Sequence, residues 1–247
     1  SWSTNTSRSK RMRQQTDILV FGAHADDAEI GMGGTILKHT DAGMTVGICD
    51  LTESEMSSNG NVELRKQEAG TAAGILGLTV RSCLGLPDRG LTGDASQLAA
   101  ITKEIRLRKP RIVFAPYWQD RHPDHNAASA MVEEAVFNAK LRRYLPDSDL
   151  EPVNVEQLVF YYINDQRDIA LTVDISSFIG RKLEALSAYE SQFAPAAAGD
   201  GRVDTPLTQG YVKRVEYRDY LTGQAAGFSH AEGFALKKPH PVSYFIG

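Results

Sequence analysis

Residues 17–27 read DILVFGAHADD. Six apolar or small residues in a row, with no polar alternation, suit a strand covered on both faces. His24, Asp26 and Asp27 then fall just past its carboxyl end, where open α/β sheets bind their ligands. Three more short strand-like runs follow, at 45–52 (TVGICDLT), 81–87 (RSCLGLP) and 111–117 (RIVFAPY), the first and last of them near-continuously apolar as well. Helical patterns lie between them, near 31–40, 62–76, 95–108 and 123–139. In the second of these, Leu64, Ala69, Ala72, Ala73 and Leu76 recur at three- to four-residue spacing and make one buried stripe. Gly43 and Gly77 fit helix stops, and Pro110 ends the third helix ahead of the next strand. Two further strands are expected at 158–163 and 170–175, and helices at 177–189 and 206–221. Strand–helix alternation of this kind means a Rossmann-like, mostly parallel sheet flanked by helices and joined by right-handed crossovers.

The chain has 247 residues, enough for one domain with a real core and no disulfide staples. No linker divides it, so residues 16–247 are expected to form a single α/β domain with a smaller C-terminal part. Residues 1–15 (SWSTNTSRSKRMRQQ) are polar and basic and lack the apolar centre of a signal peptide. They are expected to be a disordered tail or an expression remnant, with a basic docking arm as the other possibility. The formal charge, 27 − 31 = −4, argues against a nucleic-acid binder. No apolar run approaches the roughly 18 residues of a membrane span. The two cysteines, Cys49 and Cys83, sit in apolar runs without a CxxC spacing, which reads as reduced thiols and a cytoplasmic setting.

Two polar clusters carry the chemistry. The first is His24, Asp26 and Asp27; the second, in RHPDH, is His122, Asp124 and His125. An imidazole and a carboxylate three positions apart can reach one cation from a tight turn, and an imidazole from another loop completes a three-ligand face. Three nitrogen or oxygen ligands leave a position open, which separates a catalytic zinc site from a structural one. A spare carboxylate beside them can act as general base. Either cluster alone also fits a solvated turn; together, both at strand ends, they point to a metal site. The histidines His39, His230 and His240 show no ligand spacing. GMGG (31–34) lacks the GxGxxG spacing of a phosphate cradle and fits tight backbone packing.

The segments FGAHADDAEIGMGGT (21–35), ICDLTESEMSSNG (48–60), LRKQEA (64–69), LPDRGL (86–91), APYWQDRHPDH (115–125), AYESQF (188–193), TPLTQGY (205–211) and AEGF (231–234) together resemble the LmbE-like (PIG-L) family of zinc-dependent N-deacetylases. Within it they look most like the branch that acts on N-acetylglucosaminyl malate in bacillithiol biosynthesis. The resemblance implies that His24, Asp27 and His125 bind zinc and that Asp26 is the general base. It implies that a protonated His122 stabilises the tetrahedral intermediate or protonates the leaving amine, that Asp124 orients and charges His122, and that Arg65 reaches into the pocket. Many members have proline where this chain has Ala25, a position that does not ligate metal. A homo-oligomer, trimer or hexamer, is implied as well.

Other residues are expectations with an ordinary alternative beside each. Glu53 and Glu55 would accept hydrogen bonds from sugar hydroxyls, or line a solvated loop. Asp88 and Arg89, in a PDRG turn, would contact substrate. Arg218 would pair with an anionic group such as a malate carboxylate, or lie on a helix surface. A His₂Asp site also accepts iron(II) or other divalent metals. Two rival functions remain: a Rossmann-like nucleotide-binding oxidoreductase, disfavoured because the first βα turn has no glycine fingerprint, and a non-catalytic metal- or sugar-binding protein, disfavoured because a binder needs neither Asp26 nor His122.

Overall fold

The first apolar run forms β1 (Ile18–Gly22), with every residue buried. The computed structural model describes residues 14–245. After β1 come α1 (Asp27–Asp41), β2 (Val46–Thr52), α2 (Val62–Leu76), β3 (Val80–Leu86), α3 (Ala95–Arg108) and β4 (Ile112–Pro116). Then follow α4 (Pro123–Ala139), β5 (Gln157–Tyr161), β6 (Leu171–Asp174), α5 (Ile179–Ser187), the single turn α6 (Glu190–Phe193), α7 (Tyr211–Ala226) and β7 (Ala231–Ala235). The strands make one sheet in the order β3-β2-β1-β4-β5-β7-β6. The first five in that order pair in parallel. β7 runs antiparallel between β5 and β6, so the C-terminal part extends the same sheet. The expected α/β architecture is the one found.

Alternate side chains of the strands feed two cores. Val20, Ile48, Phe114, Tyr161 and Phe234 pack on one face with α1, α2, α5 and α7. Leu19, Phe21, Cys49, Val113 and Phe160 pack on the other with α3 and α4. Chain order reverses between β1 and β4, so a crevice opens outside their carboxyl ends. The β1–α1 turn and the start of α4 meet there.

Some boundaries differ from the sequence expectation. Helix α1 begins at Asp27 rather than 31, directly after the polar cluster, and breaks at Met32 (φ −149°, ψ 23°). Helix α7 begins at Tyr211 rather than 206, because Thr205–Thr208 close their own hydrogen-bonded turn and Gly210 enters the helix at φ 74°. Strand β7 and the turn α6 were not anticipated. Of the tail assigned to 1–15, residues 1–13 lie outside the described residues, while the Gln14 carbonyl accepts from Arg108 Nη1 at 3.4 Å.

Candidate metal centre

The β1–α1 turn is tight enough to place Asp26 at φ 115°, a conformation costly for a residue with a side chain and most often kept at functional sites. The surroundings over-determine it. Arg65, from α2, donates through Nε to the Ala25 carbonyl at 2.9 Å and through Nη2 to Asp26 Oδ2 at 2.9 Å. The other cluster is placed by a helix start. His122 is the N-cap of α4, with Pro123 at its first turn and the Asp124 N–H donating to His122 Nδ1 at 3.1 Å. Proline is preorganised for that position, and it fixes how Asp124 and His125 leave the helix end.

The two clusters converge. The rings of His24 and His125 lie 5.7 Å apart, centroid to centroid. His125 Nε2 is 3.2 Å from Asp27 Oδ1, and His24 Nδ1 is 3.7 Å from Asp27 Oδ2. Ligand atoms held at zinc bond lengths in a tetrahedron stand about 3.3 Å apart, and the donor atoms of His24, Asp27 and His125 all lie within 4.8 Å of one another. The outer ring nitrogens are already held: His125 Nδ1 by Asp120 Oδ1 at 2.9 Å, and His24 Nε2 by Asp88 Oδ1 at 3.0 Å and Asp124 Oδ2 at 3.2 Å. Carboxylates behind the ligating imidazoles are how metal sites orient their histidines. The donor set therefore fits a divalent ion. His24, His122 and Asp124 meet the same spacing, but the His24–Asp124 contact there runs through the Nε2 that Asp88 also holds.

Burial pulls the His24 imidazole down, yet hydrogen bonds to Asp124 and Asp88 outweigh it and hold it up at about 10. Burial likewise pulls His125 down, while the charge of Asp27 and the hydrogen bond to Asp120 lift it to about 9. The cluster stabilises positive charge, the demand a divalent cation meets. Burial pushes Asp27 up, but His125 and His24 keep its carboxyl well below the ordinary range. Asp26 differs: burial raises it to about 7 against the pull of Arg65. Burial and then the charges of His125 and His24 push the His122 imidazole down. Its Nδ1 accepts a backbone N–H, so a neutral His122 carries its proton on Nε2.

A cavity of about 650 Å³ opens over this cluster, lined among others by Asp26, Arg65, Arg121, Asn164 and Tyr211. Arg89 lines it too, at φ 59° and with Nη1 on Asp124 Oδ1 at 2.8 Å, and so does Asp88. Four expectations need correction. The Asp124 carboxylate is bound to His24 and Arg89, and it is the Asp124 backbone N–H that reaches His122. Glu53 is exposed between inward-facing Thr52 and Ser54 and is not part of the cavity wall. Arg218 lines an adjoining cavity of about 350 Å³ rather than the one over the cluster, and its guanidinium is occupied by the carbonyls of Ile163 at 2.7 Å and Ile30 at 2.8 Å. Glu55 accepts from the Asp88 N–H at 2.6 Å and so shapes the turn rather than the wall. Asp120 was missed. Its place five residues before His125 in WQDRHPDH was the available signal. A larger groove of about 880 Å³ lies between α4 and residues 236–241, away from all of these groups.

The family model described as GlcNAc-PI de-N-acetylase (PIG-L) matches residues 19–136. The diacetylchitobiose deacetylase of Thermococcus kodakarensis is 33% identical over 189 residues, covering 71% of this chain and 70% of that one. A probable N-acetyl-alpha-D-glucosaminyl L-malate deacetylase 2 of Bacillus anthracis is 26% identical over 203 residues, 74% of this chain and 84% of that one. Among solved structures, a conserved protein of Thermus thermophilus superposes with a TM-score of 0.84 at 37% identity, covering 92% of this chain and 97% of that one.

Proposed function

The chain belongs to the PIG-L family of de-N-acetylases, and on that premise we propose that it hydrolyses the acetamide of an N-acetylglucosamine conjugate to acetate and a free amine, with a divalent ion, zinc in the first instance, held by His24, Asp27 and His125. The observation that carries this reading is the convergence of those three side chains beside the buried carboxylate of Asp26. When bound, the ion supplies a Lewis acid that polarises the amide carbonyl and acidifies water.

The remaining roles fall to the chain's own residues. Arg65 holds Asp26 at 2.9 Å, facing the cavity, where its carboxylate takes a proton from the attacking water. The amide nitrogen leaves only as a neutral amine, so that proton returns to it from Asp26. The Nε2–H of His122 donates to the carbonyl oxygen as negative charge develops there; loss of one such donor costs about 10²–10³ in rate. This assigns His122 a neutral donor's part in place of the protonated one expected from the sequence. Asp120, Asp88 and Asp124 keep the imidazoles of His125 and His24 turned toward the ion. Arg89 holds Asp124 in turn.

For the rest of the substrate, N-acetylglucosaminyl malate is the first candidate. Arg121 lines the cavity and makes no hydrogen bond or ion pair among the described residues, so its guanidinium is free for a carboxylate. N,N′-diacetylchitobiose is the second candidate, on the strength of the Thermococcus relative. The free thiols of Cys49 and Cys83 suit a reducing compartment, and we place the reaction in the cytoplasm. No helix among the described residues is long and apolar enough to cross a membrane. Amine release from both compounds, with and without a chelator, tests the reading. Activity on either compound that a chelator abolishes and zinc restores supports it; chelator-insensitive turnover, or none on any acetamido sugar, defeats it.

A further inference from the structure

Helix α1 is broken where a regular helix would carry its hydrogen bonds straight through. In an unbroken helix the N–H groups of Gly34 and Thr35 donate to the carbonyls of Ile30 and Gly31. Here Met32 leaves helical geometry. The Gly34 N–H donates to Glu232 Oε2 at 3.1 Å, and the Thr35 N–H and hydroxyl donate to Glu232 Oε1 at 2.5 and 2.7 Å. The Ile30 carbonyl receives Arg218 Nη2 at 2.8 Å. Both sides of the break are thus served from outside the helix, by β7 and α7. Glu232 is itself fixed: Lys182 Nζ, on α5, bridges Glu232 Oε2 at 2.6 Å and Asp219 Oδ2 at 2.5 Å, and all three side chains are fully buried.

The short turn N-terminal to the break holds the chemistry. It carries Asp27, and the Ile30 N–H donates to the Asp26 carbonyl at 2.9 Å. The Arg218 contact therefore sits one helical turn from the Asp26 backbone. Glycines let the broken segment pack closely. A Cβ on Gly31 would lie 2.3 Å from the Tyr161 ring, and one on Gly34 would lie 2.8 Å from Ile175. Gly31 thus seats the first half of α1 against Tyr161, and Gly34 seats the second half against Ile175.

We infer that Glu232 and Arg218 are positioning residues for the metal-binding turn: Glu232 holds the second half of α1 at the Met32 break, Arg218 holds the Ile30 carbonyl on the first half, and together they keep Asp27 toward His125 and Asp26 toward the cavity. The inference rests on the metal-site reading above. Neither residue lines the cavity over the metal-binding cluster. A glutamine at 232 cannot replace the carboxylate. Two backbone N–H groups, one hydroxyl and one ammonium converge on its two oxygens, and an amide offers only one acceptor atom.

The test is zinc affinity, measured on chelator-stripped full-length protein by competition with a chromophoric chelator. It compares wild type, Glu232→Gln, Arg218→Met and a stability control, Ile101→Val, a buried truncation on α3 across the sheet. Glu232→Gln and Arg218→Met are expected to weaken zinc binding about 10- to 100-fold, as loss of an outer support does. Ile101→Val is expected to lower the melting temperature while its zinc affinity stays within about two-fold of wild type, as a change that only affects stability should. If Glu232→Gln does not fold, Arg218→Met decides alone. Wild-type affinity in a folded variant of either residue, or an equal loss in Ile101→Val, overturns the inference. A wild-type protein that binds no zinc overturns the metal-site reading instead.

Discussion

At the residue scale, the proposed ligands and the proposed base differ in what each side chain faces. Asp27 faces two imidazoles, whereas Asp26 faces Arg65 and the cavity. Asp26→Asn keeps the side chain's size and tolerates the left-handed backbone, so zinc stoichiometry should stay at wild-type level. Turnover should fall by about 10²–10⁴, the contribution of a positioned base. Loss of the ion along with activity would make Asp26 a ligand. His125→Ala should do the reverse and empty the site. The two clusters were legible from sequence because spacing within one turn is local, whereas the separate roles of ligand and base came from the family resemblance. The supporting carboxylates were not, since Asp88 reaches His24 across 64 residues and no local pattern records it. Arg218 was misassigned for the same reason. A helix arginine looks free until the carbonyls it meets, 55 and 188 residues away, are known.

At the element scale, helix α1 and strand β7 carry what periodicity conceals. Strands β1, β2 and β4 stood out as apolar runs. AEGFA contains a charge and a glycine and shows no strand pattern, yet β7 is buried throughout because Lys182 neutralises Glu232. GMGG did announce close packing. Gly31→Ala would drive a methyl group into Tyr161 and the Tyr162 carbonyl, and a clash of that kind costs about 1–3 kcal/mol or more. Gly70→Ala, on α2, meets nothing within 4 Å and should stabilise the protein by about 0.4–1 kcal/mol. Thermal denaturation of the two variants should move the midpoint in opposite directions. A common direction would mean that α1 is not seated against β5 as described.

At the scale of the whole molecule, the sheet puts Cys49 in a sealed core and Cys83 on the edge strand β3. Burial pushes the Cys49 thiol well above its ordinary range. One thiol per native chain, that of Cys83, should therefore alkylate, with the second reacting only on unfolding; rapid loss of both would contradict the sheet order. Tyr217, Tyr220 and Leu221 share one exposed face of α7, a surface suited to the homo-oligomer the family resemblance implies. Light scattering should give three or six times the 27.1 kDa chain mass, and a monomer at working concentration would remove that expectation. In the proposed site, two stretches of backbone about a hundred residues apart would hold one divalent ion beside Asp26. Anomalous diffraction at the zinc edge from zinc-loaded crystals tests it most directly. One peak per chain, about 2 Å from His24 Nδ1, an Asp27 oxygen and His125 Nε2, is the predicted result; a peak ligated by Asp26, or none among these residues, would contradict it.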